Sequence, residues 1–202
     1  MSQDIFSLVC AMNRESVEMQ LIVQCAPVMA GLKVSNLLIF REEHEEALLE
    51  LLNGSDLTAY YLTRVNGKLV YLIYRHTAME RFFTSYSVQV FFKREGYKKL
   101  TIEHILEKFK KRYEEHMISG GEFPHEMGLI LGYPLEDVEG FIEHGGDNYL
   151  YSGYWKVYNK PEEKKLMFSS FDKATEHFVR MMHTGASMRD IIGNSRMKRI
   201  YC

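Results

Sequence analysis

Apolar side chains recur at intervals of three and four in several segments, a spacing that places them on one face of a helix. The predicted helices are Asp4 to Met12, Ser16 to Cys25, Glu42 to Leu52, Ala78 to Phe92, Thr101 to His116, Pro134 to about His144 and Glu162 to His183. Thr101 is in position to cap its helix. Pro27 is expected to end the second helix, because proline disfavours helical backbone in the residue before it.

The clearest strand signal is a pair of apolar segments, Leu57–Val65 and Lys68–Arg75, joined by Asn66-Gly67. Asn-Gly accepts the two positive φ angles of a tight hairpin turn, so these segments are predicted to pair as a β-hairpin. With Val65 opposite Lys68, the regular register pairs Tyr60 with Ile73 and Leu62 with Tyr71. Both faces of this hairpin carry apolar residues, which is typical of strands inside a covered sheet.

Short apolar segments predict further strands, namely Val34 to Phe40, Met127 to Leu131 and Gly153 to Tyr158. Nothing in the chain resembles an interdomain linker. We therefore expect a single α/β (α+β) domain over residues 1–202. Its mixed sheet is expected to have about five strands around the central hairpin, flanked by about seven helices.

The composition is that of a folded protein, with 46% hydrophobic and 13% aromatic residues. The formal charge is -2, which gives no field that attracts phosphate backbones, so no nucleic-acid partner is expected. We see no secretory signal, and no apolar run approaches the about 20 residues that cross a bilayer. The 3 cysteines are widely spaced, as in proteins of a reducing compartment. A cytoplasmic protein without membrane contact is expected.

Three segments together resemble a known family: Cys25–Lys33, Phe123–Ile142 and Gly153–Tyr158. The chain resembles the bacterial domain-of-unknown-function family 3793, found mainly in anaerobic Firmicutes, over most of its length. Its members often carry a histidine before the cysteine, where this chain has Gln24. The resemblance brings no established activity and leaves the cofactor open. Relatives are often encoded near flavodoxins and iron-transport genes, which implies a link to redox or iron physiology and a flavodoxin-type or iron-related partner.

Cys25 is a candidate nucleophile, because the predicted helix boundary at Pro27 would expose its thiol and the start of a following helix would lower its pKa. His125 is then the candidate base, and Glu126 or Asp137 the carboxylate that orients it. In the alternative, Cys25 is a buried structural residue and His125 belongs to a turn that enters a strand.

Aromatic residues concentrate between residues 133 and 158, where they are expected to form a ligand or partner surface or else to pack as core. The residues of this predicted surface are Tyr133, Asp137, Tyr154, Trp155, Lys156 and Tyr158. No metal site is predicted, since the zinc-protease motif that begins at His125 would need a second histidine where Leu129 stands.

The leading hypothesis is a cytosolic binding or accessory protein linked to redox or iron physiology, with this aromatic surface as its site. The alternative is a cysteine-dependent hydrolase or transferase using Cys25 with His125. A metal or haem binder is a third hypothesis, although no ligand pair is evident. The sequence leaves open whether the protein is an enzyme.

Overall fold

The computed structural model describes residues 3–193; Cys202 lies outside them. The helices and strands follow in this order: α1 (Gln3–Ala11), α2 (Val17–Met29), β1 (Ser35–Arg41), a 3-10 turn (Glu42–His44), α3 (Glu45–Leu52), β2 (Leu57–Val65), β3 (Lys68–Arg75), α4 (His76–Phe83), α5 (Tyr86–Arg94), α6 (Ile102–Ser119), α7 (Met127–Ile130), α8 (Leu135–Glu143), β4 (Tyr151–Ser152), β5 (Lys156–Val157), α9 (Pro161–His183) and α10 (Met188–Gly193).

Two compact units divide the chain. Within residues 3–193, the first unit contains residues 3–76 and 170–193, and the second is Thr77–Ser169. The combination of helices and strands is as expected, but the expected single mixed sheet is wrong. The described residues form one three-stranded sheet in the order β1-β3-β2 and one two-stranded sheet, β4-β5, and both are antiparallel. The single-domain assignment stays a prediction.

The predicted hairpin forms the three-stranded sheet of the first unit together with β1. Asn66 and Gly67 have φ angles of 50° and 72°, as a two-residue turn of this type requires. The central strand β3 is buried along six consecutive residues. Both of its faces are therefore covered, as the apolar pattern on both faces of the hairpin indicates.

The register of the hairpin differs from the prediction beyond its third pair. Val65 does pair with Lys68, but a bulge at Leu62 shifts the rest of β2, so that Tyr61 pairs with Tyr71. The predicted pairing of Leu62 with Tyr71 is therefore wrong, and so is that of Tyr60 with Ile73. A bulge adds one residue to one strand only. The residues of β2 on the far side of the bulge from the turn therefore point to the face opposite to the one that the regular register predicts.

Helix α2 continues through Pro27, which corrects the prediction that it ends there. An internal proline removes one hydrogen bond and costs about 3 kcal/mol. The helix is nevertheless buried along most of its length and belongs to the core of the first unit. Tertiary packing thus outweighs the local penalty. The carbonyl oxygen of Pro27 closes the end of the helix by accepting from the backbone N–H groups of Leu32 and Lys33, at 2.8 and 3.1 Å.

Helices dominate the second unit, and two of them replace the single helix predicted over residues 78–92. Ser85 has extended backbone and starts α5, so α4 and α5 are separate. Tyr86, the first residue of α5, is exposed. Helix α6 confirms the prediction of its cap, since the Thr101 hydroxyl accepts from the backbone N–H of His104.

The segment from Met127 to Leu131, predicted as a buried strand, forms the short helix α7 instead. Its turn closes when the N–H of Tyr133 donates to the Gly128 carbonyl oxygen at 2.8 Å. Gly132, at a φ of 73°, supplies the left-handed residue that this closure needs. An apolar run of five residues has no distinguishing period, so a buried helical turn and a buried strand look alike in sequence.

The predicted strand from Gly153 to Tyr158 is instead part of a small hairpin. Its strands β4 and β5 are two residues long, and residues 153–155 form the turn between them. Trp155 and Val157 are both buried. Within residues 3–193, none of the helices combines the length and apolar composition that a membrane crossing requires.

Candidate functional site

A cavity of about 270 Å³ opens in the second unit. Its walls come from α7, α8, the hairpin β4-β5 and the segment that precedes α7. Most of the lining is apolar, with four aromatic rings: Phe123, Tyr133, Phe141 and Trp155. The polar lining residues are His125, Asp137 and Lys156. We call this space the aromatic cavity.

Stacked rings form one wall of the aromatic cavity. The rings of Tyr133 and Trp155 are nearly parallel, with centroids 4.7 Å apart. The ring of Phe168 is perpendicular to that of Trp155, with centroids 4.5 Å apart, and supports the indole from another side. Burial raises the pKa of the Tyr133 phenol, so this ring stays neutral and contributes a flat apolar surface.

Asp137 holds this wall in place from within. Its side chain is 2% exposed. Its Oδ2 accepts from the indole Nε1 of Trp155 at 2.8 Å, and its Oδ1 accepts from the backbone N–H groups of Tyr158 and Asn159 at 2.8 and 3.1 Å. One carboxylate of α8 thus anchors both the indole and the chain after β5. Asp137 lines the cavity, but its hydrogen bonds give it a structural role.

Glycines allow the elements of this unit to approach closely. A Cβ on Gly128 would lie 2.7 Å from Cγ2 of Val138, and one on Gly140 would lie 2.6 Å from Cβ of Tyr158. Neither position accepts a side chain without displacement of its neighbour. Both glycines belong to Phe123–Ile142, one of the three segments that carry the family resemblance. This segment therefore includes the close contacts of α8 with α7 and with the chain after β5.

His125 brings a nitrogen into this apolar surrounding. Its ring lies against Phe123 and Phe141, with centroid distances of 5.4 and 6.1 Å. Its Nδ1 is buried and has no hydrogen-bond partner. A buried polar atom without a partner costs about 1–3 kcal/mol, so a group that paired with this nitrogen would recover that cost.

Lys156 is the cationic residue of the lining. Its Nζ donates to the Gly146 carbonyl oxygen at 2.6 Å and lies 5.9 Å from the ring centre of Phe141 and 5.0 Å from that of Tyr149. An ammonium group has three N–H donors, and the Gly146 bond uses one of them. Lys156 can therefore donate to a second acceptor without leaving its place.

Glu126 is next to His125 in sequence but does not line the cavity. It is fully buried, and its Oε1 accepts from the Tyr97 hydroxyl at 2.7 Å and pairs with Nη1 of Arg112 at 2.9 Å. Its Oε2 has no partner. Burial, and after it the charge of Glu126, raises the pKa of Tyr97. The arrangement is a buried ion pair in the interior of the second unit.

The other predicted surface residues lie outside the lining. Tyr154 is 40% exposed and rests on Phe168 at 5.3 Å. Tyr158 stacks on His144 at 5.6 Å. The structure therefore brings together Tyr133, Asp137, Trp155 and Lys156 of the predicted surface, adds His125, and leaves out these two tyrosines.

Cys25, the predicted nucleophile, belongs to the first unit, whereas His125 belongs to the second. Because α2 continues past it, Cys25 is inside a helix and not at the start of one. It is 0% exposed, and burial raises the pKa of its thiol to about 12. This burial disfavours the thiolate that a nucleophilic cysteine needs, which argues against the cysteine-dependent reaction.

Gln24, where relatives often have histidine, stabilises the open edge of β1. Its Nε2 donates to the Ile39 carbonyl oxygen at 3.0 Å, and its Oε1 accepts from the Ile39 N–H at 2.9 Å. The side chain thus pairs with the strand as a neighbouring peptide group would.

Lys33 is a buried cation of the same unit. It donates to Oδ1 of Asn36 at 2.5 Å, and burial lowers the pKa of Lys33 to about 8.

We expect Cys25 to react with iodoacetamide at neutral pH at least about a hundredfold more slowly than Cys10, because one thiol is buried and the other exposed. Peptide mapping by mass spectrometry separates these two sites from Cys202. In denaturant both should react at similar rates. Fast native labelling of Cys25, slowed by His125→Phe, would contradict its buried placement and favour the enzyme hypothesis.

Sequence reasoning missed part of the lining, above all Phe141 and the apolar residues of α7 and α8. A signal for Phe141 was present, since Asp137 and Val138 precede it by four and three residues and therefore neighbour it on the surface of the predicted helix. Phe123 offered no comparable signal, because it precedes α7 in a segment without regular structure.

These features define the second unit as a mainly helical unit with an aromatic cavity. The chain belongs to the family described as Protein of unknown function (DUF3793), whose sequence model matches residues 21–192. The match includes the entire lining of the cavity, and Cys25 as well. No curated protein and no solved structure matches the chain. The bacterial origin in Firmicutes stays a prediction.

Proposed function

We propose that the protein is a binding protein whose aromatic cavity holds a small, flat, largely apolar molecule. The observation that carries this proposal is the cavity of about 270 Å³ with its stacked Tyr133 and Trp155 wall. Its volume of about 270 Å³ lies just below the range of about 300–1,000 Å³ usual for ligand sites, so the ligand is expected to be small. A molecule with one ring system fits such a space.

Planarity of the ligand is inferred from the shape of the wall. A ring that lies against Tyr133 and Trp155 continues their stack, and offset stacking contributes about 0.5–1.5 kcal/mol beyond the burial of apolar area. The fixed indole supports this role. Because Asp137 and Phe168 already hold Trp155, the wall is formed before a ligand enters, and binding requires little ordering of side chains.

The chain has 1 tryptophan, Trp155, and it lines the cavity, so its fluorescence reports on this site alone. We expect a neutral planar probe, benzamide, to change Trp155 emission in a saturable way. Tyr133→Leu keeps an apolar side chain but removes the stacked ring, and it should weaken benzamide binding by about three- to tenfold.

Tyr154→Leu is the matched control, because it removes a neighbouring tyrosine that does not line the cavity. This variant should bind benzamide as the unmodified protein does. Native mass spectrometry of protein from its own host is the complementary measurement, and a retained aromatic molecule would support the proposal. Emission of Trp155 that stays constant with every ring compound tried would contradict it.

The link to redox or iron physiology, and a flavodoxin-type partner, stay predictions that follow from the family resemblance. Within residues 3–193 no group of three or more His, Cys, Asp and Glu side chains is arranged to hold a metal ion. A pull-down from host extract with the unmodified protein and with Tyr133→Leu tests the partner. A flavodoxin retained by both proteins would support accessory binding away from the cavity.

A further inference from the structure

The aromatic cavity has two polar groups whose hydrogen-bonding capacity is not used up. Lys156 has N–H donors beyond the one that it gives to Gly146, and Nδ1 of His125 is buried without a partner. Both residues contact the ring of Phe141, His125 at 6.1 Å between ring centres and Lys156 at 5.9 Å from Nζ to the ring centre. A ligand beside Phe141 would therefore lie near both Lys156 and His125.

Charge then discriminates among flat ligands. Lys156 contributes a positive charge to the lining and already occupies the cation position over Phe141 and Tyr149, so it disfavours a second cation there. The acid of the lining, Asp137, accepts from Trp155 and from two backbone N–H groups. These contacts occupy three of the about four acceptor sites of the carboxylate, so Asp137 has little capacity left for a cationic ligand.

Resting on the proposed function, we infer that the ligand of the aromatic cavity is a planar aromatic carboxylate. Its ring lies on the wall formed by Tyr133 and Trp155, and its carboxylate accepts hydrogen bonds from Nζ of Lys156 and from Nδ1–H of His125. Such a group satisfies the buried nitrogen and adds a charge-assisted hydrogen bond to the ammonium, which is among the stronger kinds of polar contact.

Three compounds of nearly equal shape test the charge of the ligand: benzoate, benzamide and benzamidine, which are anionic, neutral and cationic at neutral pH. Each is titrated into the full-length protein with Trp155 emission as the readout. We expect benzoate to bind at least about tenfold more tightly than benzamide, and benzamidine to bind more weakly than both.

Lys156→Met removes the ammonium and keeps the length of the side chain. It should weaken benzoate at least about tenfold while benzamide changes by about twofold or less. Lys165→Met is the matched control, since Lys165 lies over Tyr151 at 5.2 Å but does not line the cavity. His125→Phe removes Nδ1 while keeping a ring against Phe141, and it should also weaken benzoate selectively.

Each outcome separates this inference from the proposed function. Equal affinities for benzoate and benzamide, or benzoate binding that Lys156→Met leaves intact, would overturn the carboxylate and leave a cavity for neutral rings. Preference for benzamidine would also overturn it. If none of the three compounds alters Trp155 emission, the proposed function itself is wrong. If Lys156→Met loses its native circular dichroism, Lys156→Gln and the charge series on the unmodified protein still test whether the ligand is a carboxylate.

Discussion

Replacing Asp137 by asparagine is expected to lower the free energy of unfolding by about 2–4 kcal/mol. The amide can accept from the backbone N–H groups of Tyr158 and Asn159 through Oδ1, but its NH₂ then faces the indole N–H of Trp155. Two hydrogen-bond donors then face each other in the protein interior, with no acceptor for either. If the amide flips, the two backbone groups lose their acceptor instead.

Urea unfolding followed by Trp155 fluorescence and by circular dichroism measures this loss. Glu139→Gln is the matched control, because it makes the same chemical change on the same helix at a half-exposed side chain that pairs with Arg94. That pair lies near the surface, so its loss should alter stability by about 0.5 kcal/mol or less.

A double-mutant cycle with Trp155→Phe isolates the contact between the carboxylate and the indole, with circular dichroism as the readout for the variants that lack tryptophan. Once the indole N–H is gone, Asp137→Asn should cost less than it does in the unmodified protein. Asp137→Asn without any loss of stability would contradict the anchoring role. The wall of the aromatic cavity would then need another explanation.

Local signals in the sequence predicted the elements that depend on a few neighbouring residues. Asn66-Gly67 specified the hairpin turn through its positive φ angles, and Thr101 specified the start of α6 through its hydroxyl. The segment of α9 is 23 residues long, which is enough for its apolar residues to establish a helical period. In each case the information lies within one turn or one continuous face.

Elements that depend on distant contacts were predicted less well. Leu62 at the bulge and Pro27 within α2 are both buried, and the sequence does not display the contacts that bury them. α7 is similar, since Gly128 allows its backbone to approach Val138 from α8. Propensity is a weak prior when burial of a whole segment favours another conformation.

The candidate site could be predicted only in part. Aromatic density indicated the wall of the cavity, and Tyr133 and Trp155 do stack there. The role of Asp137 depends on backbone donors about twenty residues away, which no spacing rule connects. The sequence indicates His125 as a candidate base for Cys25, but the burial of its Nδ1 is evident only when the surrounding rings are in place.

Arg112→Met is expected to have the largest effect of these substitutions, a loss of about 3–5 kcal/mol in the free energy of unfolding. Glu126 is fully buried, and Arg112 is the cation that pairs with its Oε1 at 2.9 Å. Removal of the guanidinium leaves a carboxylate with the Tyr97 hydroxyl at that oxygen. A buried charge without a counter-ion is far more costly than the pair itself is stabilising.

The adjacent residue provides the matched control. Lys111 pairs with Glu107 at 3.1 Å, and both side chains are more than half exposed. Lys111→Met makes a comparable change one position earlier on α6 and should alter the free energy of unfolding by about 0.5 kcal/mol or less. Chemical denaturation followed by circular dichroism compares the two variants under the same conditions.

Glu126→Gln then tests whether the penalty arises from the unpaired charge. In the Arg112→Met background it should restore about 2 kcal/mol, because glutamine has no charge and its oxygen can still accept from Tyr97. Restoration by glutamine would assign the loss to electrostatics. If Arg112→Met is as mild as Lys111→Met, or if glutamine restores nothing, Arg112 does not balance a buried charge and acts through its packing alone.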